Sequence, residues 1–163
     1  MRFHLRMAVP EDAGTIARHR AKMFQEMGVL PETSVEALQN TCAERLPILF
    51  RDGVYVGWLA VGDAPGEVIA GVGLYIRAVL PRPALTDTGD TALIDREGIV
   101  LNAYTEPTHR RRGLARALMS ELLRWTRDHD VRRVVLHASD AGRALYEELG
   151  FTPSNEMRFM GPR

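Results

Sequence analysis

Phe3, Leu5 and Met7 alternate with Arg2, His4 and Arg6, the period of a strand with one buried face. Pro10, Glu11 and Asp12 then open a helix, placing proline and acids where the first turn favours them. Ile16, Ala17, Met23, Phe24 and Met27 give that helix an apolar stripe, and Gly28 suits a left-handed cap at its end. Thr33 and Glu36 have capping-box spacing and start a second helix that reaches about Leu46, where Pro47 stops it. Residues 53–61 and 68–79 are apolar and β-branched, and the segment GDAPGE separates them, so they read as a hairpin. Residues 80–94, LPRPALTDTGDTALI, read as a mobile loop. A strand is predicted over about 97–105 and an amphipathic helix over 112–128, with Leu114, Leu118, Leu122 and Trp125 on one face. A short buried strand over 131–137, a helix over 140–149 closed by Gly150, and a last strand over 152–160 complete the chain.

The predicted order is β-α-α-β-β-β-α-β-α-β. Hairpin-linked strands and helix-linked strands occur together, which implies an α/β (α+β) fold: one mixed sheet with helices on both faces. The length of 163 residues fits a single domain spanning 1–163. The balance of 21 basic against 21 acidic side chains argues against a general nucleic-acid binder. Cys42 is the only cysteine, so no intrachain disulfide forms. The start of the chain lacks the apolar core of a signal peptide, and no apolar run is long enough to span a bilayer. The expected setting is cytoplasmic, with no membrane partner.

The chemistry begins at Arg110, Arg111, Arg112, Gly113, Leu114 and Ala115, between a strand and a helix. The first turn of a helix carries backbone N–H groups without intrahelical partners, and the macrodipole adds partial positive charge there. Gly113 lets an anion approach the backbone, and the arginines supply charge and forked donors. The lysine and hydroxyl of a Walker loop are missing, and one glycine does not make a dinucleotide fingerprint. A solvated basic helix start accounts equally well for the arginine run taken alone.

With its surroundings the segment resembles the GNAT acetyltransferases. Arg110, Gly113 and Ala115 occupy the places of their Gln/Arg-x-x-Gly-x-Gly/Ala loop, and NAYTEPTHRRRGLA is similar to their Asn-Val-Tyr-Val-x-Pro-x-x-Arg run. Leu145 to Phe151, LYEELGF, is similar to a second family motif, Leu-Tyr-Glu-Lys-Leu-Gly-Phe. The two motifs cover about residues 97–151. The resemblance implies acetyl-CoA as co-substrate and no metal. It implies that the pantetheine arm pairs with the backbone at Ala103, Tyr104 and Thr105, and that the amides from Arg110 to Ala115 hold the pyrophosphate. Ser139 stands where many members carry an asparagine that contacts the arm.

The resemblance also implies direct attack of an amine on the thioester. Tyr146 matches the family's proton donor, and a phenol is protonated at neutral pH. The alternative for Tyr146 is a helix tyrosine packed on the core. A backbone N–H near Tyr104 or Thr105 is the expected oxyanion donor. Two residues are candidates for the general base: Glu97, at the start of the strand, and His137, at the end of its neighbour. Ordered water is a third option. His4, His19, His109 and His129 lack ligand spacing, and Met23, Met27, Trp58 and Trp125 read as core. Arg20, Gln25 and Glu26 either face substrate or form the solvated side of a helix. The expected activity is N-acetylation of a primary amine, on a small molecule or a peptide, and the family often forms homodimers. The alternatives are a non-catalytic acyl-CoA-binding sensor or scaffold and, against the neutral charge, a nucleic-acid module.

Overall fold

A computed structural model describes residues 2–64, 66–85 and 89–159. Strand β1 (His4–Met7) leads to helices α1 (Ala13–Glu26) and α2 (Val35–Arg51). Strands β2 (Tyr55–Val61), β3 (Val68–Leu85) and β4 (Thr91–Thr105) follow, then helix α3 (Leu114–Asp128), strand β5 (Val134–Val135) and helix α4 (Asp140–Glu148). The sheet runs β1-β2-β3-β4-β5; all neighbours are antiparallel except β4 and β5, which are parallel. Sheet and helices make the mixed α/β architecture that the sequence predicts.

Alternation along β2 separates two cores. Trp58 and Ala60, with Val72, Leu74 and Val100, pack against Leu114, Leu118, Met119 and Leu122 of α3. Tyr55 and Leu59 point the other way and pack against Ala13 and Ile16 of α1 and Leu46 of α2. Helices therefore cover both faces. Each leucine buried this fully contributes about 2 kcal/mol. Asp12 fastens the entry to α1: it accepts two 2.7 Å bonds from Arg6 and one of 2.8 Å from the Val9 amide. The Arg6 bond is the main reason its carboxyl titrates below the usual range.

Four expectations are corrected. Helix α2 does not stop at Pro47 but runs to Arg51. Proline costs about 3 kcal/mol inside a helix, but Leu46, Leu49 and Phe50 pack into the second core and hold the last turns in place. Most of 80–94 is not a loop: β3 reaches Leu85 and pairs with β4 from Thr91, with Pro83 opposite Leu93. Strand β2 ends opposite Tyr75, so the outer part of β3 is an edge, where prolines are tolerated. Strand β5 shrinks to two residues. Residues 152–159 form no strand: Met157 and Phe159 are exposed and have no sheet neighbour among the described residues, and Met160 lies outside them.

Candidate active site

The site forms where β4 leaves β5. The two strands pair only at Gly98↔Val134 and Ile99↔Val135, with one further bond from the Gly98 amide to the Arg133 carbonyl. Residues 100–105 of β4 have no partner on that side among the described residues. Ala103, Tyr104 and Thr105 lie on this open edge. The edge is bent by a β-bulge. Opposite Gly71 and Gly73 stand Tyr104 and Leu101, so β4 carries one extra residue. Asn102 sits in the bulge with φ 57°, a left-handed conformation that asparagine tolerates better than most residues.

Side chains from two other elements hold that bulge. Asn102 is buried; its Oδ1 accepts a 2.6 Å bond from Arg20 of α1, and its Nδ2 donates across 3.2 Å to the Tyr55 hydroxyl of β2. Tyr55 reaches β4 by lying over β3 at Gly73, where a Cβ would stand 2.1 Å from the hydroxyl. Burial pushes the Tyr55 phenol up to about 12, so it stays a donor and acceptor at any working pH. Arg20 thus serves the sheet instead of the solvent. Asn102 opens the NAYTEPTHRRRGLA run, but neither Tyr55 nor Gly73 is marked by the motifs.

At the end of β4 the chain turns through a short 3-10 segment, Pro107–His109, into the arginine-rich loop before α3. Arg111 (φ 59°) and Gly113 (φ 78°) are both left-handed. Alternating backbone of this kind turns successive N–H groups towards one point and forms an anion nest. Gly113 is also the N-cap of α3, so the free amides of Leu114 and Ala115 extend the same donor surface. Nothing lies within 4 Å of the space a Gly113 side chain would take. Arg111 and Arg112 are exposed on the loop. Arg110 is turned away: its guanidinium donates to the Thr105 carbonyl at 3.0 Å and to Glu26 at 2.5 Å. Glu26 also accepts the Tyr104 hydroxyl at 2.9 Å, so one carboxylate ties the end of α1 to both strand and loop. Burial, and then that bond, raise the Tyr104 phenol far above its ordinary range. Gln25 donates to Glu32 on the surface, at 2.7 Å.

Beside them Lys22 bonds both oxygens of Glu106 at 2.9 Å. Burial would raise the Glu106 carboxyl, but Lys22 outweighs it and the net shift is downward. His19, 1% exposed, has Nε2 3.4 Å from Glu106 without the alignment of a hydrogen bond. Burial lowers its pKa to about 4, against the pull of Glu106, so the ring is neutral.

On the far side of the splay, Ser139 is the N-cap of α4 and its hydroxyl makes no capping bond. Tyr146 is half-buried on α4, edge-on to Phe151 at 6.0 Å, and burial alone raises its phenol. His137 is exposed two residues past Val135, with Nε2 3.5 Å from Glu156. Glu97 lies near the middle of β4 and is 3% exposed. One of its oxygens accepts Arg77 Nε at 2.6 Å, the other Arg133 Nε at 2.7 Å. Burial would push this carboxyl up, but the two guanidiniums hold it below the usual range. Among the described residues no cluster suited to a metal occurs and no helix is long and apolar enough to cross a membrane.

Comparison with known proteins places the fold. The Acetyltransferase (GNAT) family matches residues 16–151. A GCN5-related N-acetyltransferase from Ralstonia eutropha JMP134 is 31% identical, with 97% of each chain covered and a TM-score of 0.83. A predicted acetyltransferase from Clostridium acetobutylicum, solved with acetyl-CoA, has the same fold: TM-score 0.75 at 23% identity, covering 98% of this chain and 96% of that one. Among curated proteins, N-acetyltransferase Eis of Mycobacterium tuberculosis (strain ATCC 25177 / H37Ra) is 32% identical over 98 residues, 59% of this chain. The chain spans only 22% of the length of that relative.

Proposed function

Because the chain belongs to the acetyltransferase (GNAT) family, we propose that it moves an acetyl group from acetyl-CoA to a primary amine by direct attack. One observation carries this reading: the unpaired edge of β4 runs directly into a left-handed anion nest at the start of α3. An extended arm that ends in a pyrophosphate fits that sequence of donors, an edge for the arm and a nest for the phosphates.

Acetyl-CoA supplies the activated acetyl group as a thioester. The residues that would hold it are Ala103, Tyr104 and Thr105 through their backbone, and Arg111, Arg112, Gly113, Leu114 and Ala115 through amides and guanidiniums. Ser139, whose hydroxyl makes no capping bond, would contact the same arm. Arg110 contributes its backbone and fixes the loop, since its guanidinium is engaged by Glu26 and Thr105. Amides of β4 beside the Asn102 bulge that face the open edge, where β5 no longer pairs, would serve as oxyanion donors.

Tyr146 keeps its proton at neutral pH, since burial raises its phenol, and so it can protonate a departing thiolate. Of the two candidate bases, Glu97 is the poorer: both oxygens are occupied and its affinity for a proton is lowered. We assign proton acceptance from the amine to His137, which is exposed beside the splay. Acetyl transfer to a panel of amines tests the activity. In Tyr146→Phe, turnover should fall about 10-fold or more while acetyl-CoA affinity is retained; an unchanged kcat would remove Tyr146 from the mechanism. Tight acetyl-CoA binding with no transfer to any amine would instead identify a sensor.

A further inference from the structure

The face of the sheet that carries α1 and α2 continues, beyond those helices, as a ladder of cross-strand rows. One row is Tyr75, Ile99 and Val135, registered across β3, β4 and β5 and half-buried. Two residues outward lies the row Arg77, Glu97 and Arg133. Glu97 is buried, whereas the side chains of Arg77 and Arg133 keep 51% and 37% of their exposure. Two residues in the other direction, Gly73 faces Leu101 at the head of the open β4 edge. A half-buried apolar shelf thus runs from the proposed reaction centre to a pair of half-exposed guanidiniums.

Further arginines lie close by, around a groove on the α3 side of the sheet, where Val134 packs. Where β5 has not yet begun, a groove of about 320 Å³ is lined by Arg82, Arg132 and Arg133 with Ile94 and Val134. Glu97 offsets part of the charge of Arg77 and Arg133, and Asp130 pairs with Arg132 at 2.6 Å. Asp95 adds an exposed acid on β4. At the end of the shelf itself, Arg77 and Arg133 exceed Glu97 by one charge.

We infer that the acetyl acceptor is an amine that also carries an anionic group, a carboxylate or a phosphate, bound by Arg77 and Arg133 at the end of the apolar shelf. This rests on the acetyltransferase reading above and deepens it. The step from Leu101 to Glu97 is four residues, about 13 Å at the ~3.3 Å rise of a strand. The guanidiniums reach back over part of it, so the anion stands about 10 Å from the attacking nitrogen. Arginine suits this role because its fork can hold Glu97 with one edge and offer its remaining N–H groups to a second oxyanion.

The test is kcat/KM of the full chain with four matched eight-carbon amines: 8-aminooctanoate, 8-aminooctyl phosphate, octylamine and 1,8-diaminooctane. At least one anionic amine should exceed octylamine by about 10-fold, with the diamine lowest. The two anionic arms separate carboxylate from phosphate recognition. Arg77→Gln should raise KM for the preferred anion about 10-fold and leave KM for acetyl-CoA and the octylamine rate in place. Arg77→Lys should restore most of the loss. Arg133→Gln should weaken the anionic amine in the same way, and a retained octylamine rate in both variants guards against a folding defect. Equal use of all four amines, preference for the diamine, or an unchanged ranking in Arg77→Gln would overturn the inference and leave the acetyltransferase reading standing. Bound acetyl-CoA with no transfer to any amine would overturn both.

Discussion

Gly73→Ala is the sharpest test of how the β4 bulge is held. The added methyl would sit 2.1 Å from the Tyr55 hydroxyl, 2.5 Å from Cζ and 2.7 Å from Cε2. Carbon and oxygen do not approach that closely, so the ring must move by about 1 Å. Tyr55 cannot move freely, because it is 4% exposed and packed edge-on against Phe50 at 5.0 Å. Overpacking of this kind costs about 1–3 kcal/mol. Moving the ring also breaks the 3.2 Å bond to Asn102 and leaves a buried amide donor unpaired, about 1–3 kcal/mol more. Stiffening the unfolded chain returns about 0.5–1 kcal/mol. The net loss is about 2–4 kcal/mol, read from the midpoint of urea unfolding. Turnover should fall with it as the amides after Asn102 lose their alignment. In a Tyr55→Leu background the same alanine should cost less than about 1 kcal/mol, since the clash is gone. A Gly73→Ala protein with wild-type stability, or one whose cost is the same in both backgrounds, would refute the reasoning.

The remaining predictions concern the loop, a buried histidine and a helix. Gly113→Ala places a side chain at φ 78°, which costs roughly 1–2 kcal/mol; calorimetric titration should show weaker acetyl-CoA binding, with kcat nearly retained. His19 has a folded-state pKa lowered to about 4, so the unfolded chain takes up a proton that the native ring refuses. Stability is therefore full above the ordinary histidine pKa of 6.5 and declines by roughly 3 kcal/mol as pH falls from there to about 4; His19→Leu should flatten the denaturation profile across that window. Pro47→Ala restores an amide to the interior of α2 and should raise the melting temperature, a gain of about 1–2 kcal/mol after the looser unfolded chain is counted.

The parts of the site readable from sequence are those written locally. Arg111 and Gly113 adopt left-handed backbone within one short loop, and Leu114, Leu118 and Leu122 repeat on one helix face, so neighbours in the chain carry the message. Asn102 shows the opposite case. Its partners are 82 residues away in Arg20 and 47 away in Tyr55, and the glycine that lets the tyrosine pass lies on a third element. No period or spacing encodes such a contact. Glu97 was legible as an acid on the right strand but not as one held by Arg77 and Arg133, because one partner lies on β3 and the other just before β5. Pro81 and Pro83 made residues 80–94 read as a loop, since the signal for proline does not distinguish a turn from an open sheet edge. The end of α2 was misplaced for a related reason: Pro47 is a local stop signal, and the burial of Leu46 that overrides it is tertiary.

Glu26 answers to two places at once: one oxygen takes the Tyr104 hydroxyl and the other takes Arg110 of the phosphate loop. Kinetic constants for the two substrates are therefore not independent coordinates in this protein. A substitution on α1 chosen to probe the amine side would also change how the loop is anchored, and the KM for acetyl-CoA would drift with it. Separating the two effects needs a cycle in which Glu26 and Arg110 are replaced singly and together, so that the shared part cancels.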